Sequence, residues 1–259
     1  MVGVVTEYGA AGRVGVLTPS GNPTVEPEFS VLLGSDVAMF AMRMTSASPD
    51  MNGRLVDYGQ TLERWMAAFG DLSLDAIAFA CTGTSYLAEE TLPRSWTGPG
   101  GTTIPFLSAA CAIEEGLRAL GCRRISLVSP YSDELTETAC AYWTKRGFTI
   151  SAVTKPVKPE AGHPIYLLTT GTLRGAIEKA QATPSDAVVA LGTGAPTLGA
   201  IAFSPGPARV LSSNLCLAWS VERALKGETA GSISAWISPD AAWRKRLAAR
   251  FPSLDKSSN

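Results

Sequence analysis

Asp75-Ala-Ile-Ala-Phe-Ala-Cys81-Thr-Gly-Thr84 returns 111 positions later as Asp186-Ala-Val-Val-Ala-Leu-Gly192-Thr-Gly-Ala195. Each copy reads as a buried strand, a short apolar run, leading into a Gly/Thr turn. One position changes the chemistry: a thiol ends the first strand and a glycine stands at the same point of the second. At the carboxyl end of a parallel strand, that position is where open α/β sheets place their ligands. The repeat continues outward. Arg13-Val-Gly-Val-Leu-Thr-Pro19 matches Arg124-Ile-Ser-Leu-Val-Ser-Pro130 at the same spacing. Ile104-Pro-Phe-Leu-Ser108 and the helix ending Leu117-Arg-Ala-Leu120 match Ala208-Arg-Val-Leu-Ser212 and the helix ending Val221-Glu-Arg-Ala-Leu225, at a spacing of 104 to 105. Two copies of about a hundred residues each are two similar α/β lobes rather than a solenoid.

The 259 residues suffice for one or two domains with sizeable cores. A hydrophobic content of 46% with 17% charged residues describes an ordinary globular interior and not a disordered chain. The formal net charge is −1, with no basic stripe, so a nucleic-acid partner is not expected. No apolar run approaches the roughly 20 residues of a membrane span, and no Lys or Arg precedes Arg13, so neither a membrane partner nor a signal peptide is expected. Five scattered cysteines without a CxxC pair point to a reducing, cytoplasmic setting rather than a disulfide framework. His163 is the only histidine, so no clustered metal ligands and no metal site are expected.

Strands are expected at Val14–Leu17, Val37–Arg43, Ala76–Ala80, Ile104–Leu107, Ile125–Val128, Thr149–Val153, Ala187–Leu191 and Arg209–Leu211. Continuous apolar runs indicate strands covered on both faces. Helices fall between them: Gln60 to Phe69, a helix from Asp133 as its cap to about Gly147, and Thr172 to Ala182. The alternation implies a mostly parallel sheet in each lobe. Trp96–Thr103 and Lys155–Pro164 read as loops by composition. Asp240–Arg250 reads as a short basic amphipathic helix packing Trp243 and Leu247 on the body, and Ser253–Asn259 as a frayed end.

Cys81 is the leading candidate for chemistry. The backbone N–H groups of Thr82-Gly83-Thr84-Ser85 are able to form an anion-binding nest, and a helix starting there adds its positive end. Both would favour a thiolate, able to act as nucleophile or proton carrier. A buried inert cysteine is the plain alternative. Cys111, Cys122, Cys140 and Cys216 lie in or at the ends of helices and read as packing residues. The turns Thr18-Pro-Ser20-Gly-Asn22 and Ser129-Pro-Tyr131-Ser-Asp133 should open on the same side as Cys81, aiming Asn22 and Tyr131 at a shared crevice. Thr193 and Gly194 would add donors opposite Cys81. His163 sits in a Pro-rich loop and reads first as a solvated residue, second as a catalytic one.

These residues carry a resemblance. Pro19-Ser-Gly-Asn-Pro-Thr-Val-Glu-Pro-Glu28 is similar to the P-S-S-N-x-T-x-E-x-E motif of maleate cis-trans isomerases. With Ala80-Cys81, Glu115-Gly-Leu-Arg-Ala-Leu120 and Leu127-Val-Ser-Pro-Tyr131, the chain resembles the maleate isomerase and arylmalonate decarboxylase family of the aspartate/glutamate racemase superfamily over most of residues 12–226. The resemblance implies a cofactor-independent enzyme of two pseudo-symmetric Rossmann-like (flavodoxin-like) lobes, each with a mostly parallel four-stranded sheet. A small carboxylate substrate would bind between the lobes, and the enzyme would be a homo-oligomer. The lobes would run 12–121 and 122–226, followed by an extension 227–259, with the segments after 104 and 210 free to cross to the other lobe. Cys81 matches the nucleophilic cysteine, which adds to the alkene carbon of the substrate. Asn22 and Tyr131 match carboxylate-binding positions, and Ser20, Thr82, Gly83, Gly192, Thr193, Gly194 and His163 complete the expected substrate contacts.

Gly192 is the departure, because the second cysteine of the isomerases belongs there. Arylmalonate decarboxylases also have one cysteine, but in the second lobe, the mirror of this arrangement. A two-base racemase mechanism therefore lacks a partner, whereas a one-cysteine covalent mechanism survives. Three activities follow as expectations: a Cys81-dependent isomerase of a maleate-like dicarboxylate, a decarboxylase of a substituted malonate with Cys81 as proton donor, and a cysteine hydrolase of a small cyclic amide or ester. A carboxylate-binding lobe pair without activity ranks behind them, since binding does not explain the thiol.

Overall fold

β1 (Gly12–Pro19) leads into α1 (Val25–Leu32), β2 (Val37–Met44), α2 (Met51–Gln60), α3 (Leu62–Ala67), β3 (Ala76–Phe79), α4 (Thr82–Leu87), β4 (Ser95–Thr97), β5 (Thr103–Ser108) and α5 (Ala109–Ala119). The second half repeats this with β6 (Arg124–Val128), α6 (Asp133–Lys145), β7 (Thr149–Thr154), a 3-10 turn at Ile165–Leu167, α7 (Thr170–Gln181), β8 (Ala187–Ala190), α8 (Thr197–Ala202), β9 (Arg209–Ser212) and α9 (Ser213–Lys226). A 3-10 turn at Gly227–Ala230 and α10 (Ile233–Trp236), α11 (Ala242–Arg250) and α12 (Ser253–Lys256) follow. This computed structural model describes residues 7–157, 165–204, 206 and 209–256; His163 lies outside them.

The strand orders are β2-β1-β3-β5-β4 and β7-β6-β8-β9. All pairings are parallel except that of β4 with β5. The spacing of 111 survives at atomic detail. Val14 pairs with Ala76 in the first sheet, and Ile125 with Ala187 in the second. The Asp75 carboxylate accepts from Arg13 N–H, and that of Asp186 from Arg124 N–H, both at 2.8 Å. In each lobe the acidic residue that opens the strand thus ties it to its neighbour. The central strands β3 and β8 are buried at every residue, as their unbroken apolar sequences require.

Four expectations need correction. The first sheet has five strands, not four, because Ser95–Thr97 turns back on Thr103–Pro105 as an antiparallel hairpin. Its Gly-rich tip, with Gly101 at φ +77°, makes a turn where composition alone suggested a loop. The helix expected at Gln60–Phe69 is two helices: α2 begins at Met51 and gives way to α3 at Thr61. Asp133 does not cap α6; Ser132 does, its Oγ accepting from Leu135 N–H. Asp133 lies in the first turn instead, where its charge suits the helix dipole. The chain end also forms α12 over Ser253–Lys256 rather than fraying from Ser253.

α9 is apolar nearly all round, and Leu215, Cys216, Leu217, Ala218, Trp219 and Val221 are all buried. Such a helix needs cover on every side. It finds cover by packing on α1, α5, β3 and β5 of the first lobe as well as on β9 of its own. α11 buries Trp243 and Leu247 and packs on α1 and α8. Among the described residues no helix is long and apolar enough to cross a membrane.

Candidate active site

In each sheet the strand order reverses between the first strand and the third, β1 with β3 and β6 with β8. Crevices form at the carboxyl ends of strands at such a reversal. The four turns that follow these strands face one cavity of about 680 Å³ between the lobes. Pro19 and Asn22 come from the turn after β1, Cys81, Thr82 and Gly83 from that after β3, Pro130 and Tyr131 from that after β6, and Gly192, Thr193 and Gly194 from that after β8. Ser20, expected among them, does not line the cavity: it is exposed, its N–H on Met44 O.

Cys81 occupies the N-cap position of α4 and is only 4% exposed. Its Sγ lies 3.2 Å from Thr84 Oγ1. Thr84 donates its own proton to Leu55 O at 2.9 Å, so its oxygen is left to accept the S–H. Burial pushes the Cys81 thiol up, outweighing the contacts with Thr84 that pull it down. The nest and helix start therefore do not yield a resting thiolate, contrary to the sequence expectation. Desolvation wins because the sulfur is out of water, and the group rests as a thiol.

Asn22 does two things. Its Oδ1 accepts from the N–H groups of Thr24 and Val25 at 2.9 and 3.2 Å, opening α1. Its Nδ2 donates to Thr193 Oγ1 at 3.3 Å across the lobe boundary. Arg43 fastens the same turn by donating to Ser20 O and Asn22 O while paired with Glu26. Thr24 Oγ1 reaches Gly194 O at 2.8 Å and Thr193 Oγ1 reaches Ala80 O at 2.8 Å, so the turns of the two lobes are stitched together at the cavity floor. Ser213, which sequence reasoning missed, accepts from both Thr82 Oγ1 at 2.9 Å and Gly192 N–H at 3.0 Å.

Three phenols surround the thiol: Tyr131, and also Tyr58 and Tyr166, which the sequence did not single out. Tyr131 Oη is buried and makes no hydrogen bond of good geometry. Burial first, then the neighbouring Cys81, pushes each of the three up, so each is a proton donor rather than a base. Tyr58 continues the series Leu55, Tyr58, Leu62 at helical spacing, a signal lost when the helix was started at Gln60. The Tyr166 ring lies over two glycines: a Cβ would come within 2.4 Å of it at Gly194 and 3.3 Å at Gly21.

Gly192 is not simply a cysteine position with its side chain removed. Its φ is +92°, and a Cβ there would meet Ile165 Cδ1 at 2.7 Å and lie 3.4 Å from Tyr131 Oη. Met51, Leu55, Leu135 and Pro156 extend this apolar wall. The charged residues lining the cavity, Asp133 and Lys155, pair with each other.

Comparison with known proteins finds relatives of this sequence and fold. The maleate isomerase of Nocardia farcinica is 33% identical over 153 residues, 54% of this chain and 59% of that relative. The solved structure of the N. farcinica maleate cis-trans isomerase bound to TRIS is 26% identical, with a TM-score of 0.70 over 92% of this chain and 99% of that one. The chain resembles the maleate isomerases in sequence and in fold. A second N. farcinica structure, a Cys-to-Ser variant carrying a covalently bound succinylcysteine intermediate, superposes with a TM-score of 0.66 over 83% of this chain and 92% of that one at 26% identity. Arylmalonate decarboxylase shares the fold, with a TM-score of 0.63 over 83% of this chain and 93% of that one at 20% identity. The sequence matches span about three fifths of the length of the curated maleate isomerases. No family model matches the chain.

Proposed function

We propose that the protein is a cofactor-independent, cysteine-dependent isomerase of a small maleate-like unsaturated dicarboxylate, with Cys81 as the nucleophile. The observation that carries this reading is the position of Cys81: a thiol on the floor of the interlobe cavity, at the reversal point of the first sheet, facing Asn22 and Tyr131. The succinylcysteine of the N. farcinica structure supports it. In the proposed reaction the S–H adds across the double bond. Sulfur bonds to one alkene carbon and the proton to the other, leaving a single bond that rotates. Elimination then returns the thiol and releases the trans isomer. Donors at Asn22, Tyr131 and the Thr193–Gly194 turn would hold the carboxylates and polarise the alkene.

A second reading, decarboxylation of a substituted malonate with Cys81 as proton donor, is favoured by the Gly192 face. One thiol, its S–H kept protonated, serves a cavity in which Gly192, packed against Ile165, stands where a second thiol would, which suits one-sided protonation beside an apolar substituent. Incubation with maleate, followed by proton NMR for fumarate and peptide mass spectrometry for an adduct on Cys81, tests the first reading. Cys81→Ala should lower turnover by roughly a thousandfold or more. Inert maleate with CO₂ release from an arylmalonate would move the assignment to the second reading, and full activity in Cys81→Ala would remove the site assignment altogether.

A further inference from the structure

Glu28, the last residue of the motif that begins at Pro19, takes no part in the chemistry above, yet its carboxyl is buried across the lobe boundary. It belongs to α1 of the first lobe, and its hydrogen-bond partners all come from the second. Leu198 N–H donates to Oε1 at 2.9 Å, Thr197 Oγ1 to Oε2 at 3.2 Å, and Asn214 Nδ2 to Oε2 at 2.8 Å. The same Asn214 Nδ2 donates its other proton to Thr193 O at 2.9 Å. Thr193 in turn holds Asn22 and the carbonyl next to Cys81. A chain of hydrogen bonds therefore runs from a buried carboxylate to the cavity floor.

We propose that Glu28 is a positioning residue whose ionised carboxylate fixes the amide of Asn214, and through it the Thr193 turn, in the geometry that completes the site. The amide orientation is set by its neighbours: Nδ2 faces two oxygens, and a flip would place Oδ1 against both. Asn214 Oδ1 is itself buried without a partner. A protonated Glu28 reverses the preference, because its O–H needs an acceptor and the flipped Oδ1 supplies one. The flipped amide then repels Thr193 O and frees the turn. Burial raises the Glu28 carboxyl from 4.5 to about 7, against the lowering effect of its donors, so this exchange falls near neutrality.

The charged groups on the surrounding elements are otherwise engaged. Glu26 pairs with Arg43 on α1's own side. On α9, Glu222 and Lys226 pair with each other and Arg223 with Glu115. On α11, Arg244 and Arg246 donate to backbone carbonyls, while Lys245 and Arg250 are exposed. α8 carries no charged residue. Among the described residues no hydrogen bond or ion pair joins any of these to Glu28. The inference rests on the proposed function only for its effect on turnover.

Amide hydrogen exchange of the peptide covering 188–198, corrected for intrinsic rates and followed from about pH 5.5 to 8.5, tests it without a substrate. Wild-type protection of the turn should rise about fivefold or more as pH passes 7, with β6 unchanged. In Glu28→Gln, and separately in Asn214→Ala, protection should be low and flat. Wild-type protection that ignores pH, or a rise retained in Glu28→Gln, overturns the proposal. With a turned-over substrate, Glu28→Gln should lower kcat by about fivefold or more and move KM little, and an unchanged kcat also overturns it. If maleate and arylmalonates are both inert, the proposed function fails while the exchange result still decides this inference.

Discussion

At residue scale, Gly192 and Cys81 make opposite demands. At φ +92°, Gly192 adopts a backbone that L side chains rarely take, and its Cβ direction runs into Ile165. Gly192→Cys should therefore cost about 1–3 kcal/mol in chemical denaturation and should not create a second working thiol. Trimming Ile165 to Ala in the same chain should relieve the clash but not the backbone strain. For Cys81 the direction of the shift sets the pH dependence. With the thiol pushed up, the thiolate fraction is small at neutral pH and grows only as pH passes the ordinary cysteine value of about 8.5. Iodoacetamide labelling of Cys81 should rise through alkaline pH with a midpoint above that of a model thiol. Cys111, which is exposed, should be oxidised by peroxide well before Cys81. Peptide mass spectrometry checks both outcomes.

At element scale, the strands were legible because the central parallel strands of each lobe, β1 and β3, β6 and β8, are buried along most of their length and leave unbroken apolar runs. The Asp75 and Asp186 starts and the turns after β3 and β8 marked their ends. The break at Thr61 was hard to read: Gly59 stands two residues before it, but Thr61 itself ties back onto its own helix, its Oγ1 donating to Asp57 O. Tyr58 and the true start of α2 were lost with it. Ser213 was hidden for another reason. Its role depends on two turns 131 and 21 positions away, a relation that no local pattern records. Caps, by contrast, behave locally. Ser108 and Ser212 cap α5 and α9 in corresponding places, each Oγ accepting the N–H three residues on. Thr169 begins α7 with a reciprocal box to Thr172. Thr169→Ala should cost about 1 kcal/mol in thermal or urea unfolding and leave turnover unchanged.

At the scale of the molecule, several interlobe attachments carry charge, Arg146 with Glu89 and Glu114 among them. Lys226 on α9 holds Asp36 and Glu222, while Glu222 accepts from Gly34 N–H at 2.6 Å. Glu28 does the reverse of a stabilising ion pair. Its folded-state value of about 7 lies above the usual 4.5, so the folded chain binds the extra proton between those values. The stability this group lends is present below about pH 4.5 and lost as pH rises to about 7, a fall of order 3 kcal/mol at most. Denaturant midpoints across that range should show the decline in wild type and lack it in Glu28→Gln. A different consequence follows from α9. The helix that covers β3 and β5 between α1 and α5 is among the last parts of the repeat to be synthesised, so the first lobe leaves the ribosome with part of one sheet face uncovered. A chain stopped near residue 121 would hold the core between the first sheet and α2–α3, Leu17, Trp65, Phe79 and Phe106 among it, yet present to its neighbours the apolar surface that α9 covers, so the second half of the repeat finishes the first.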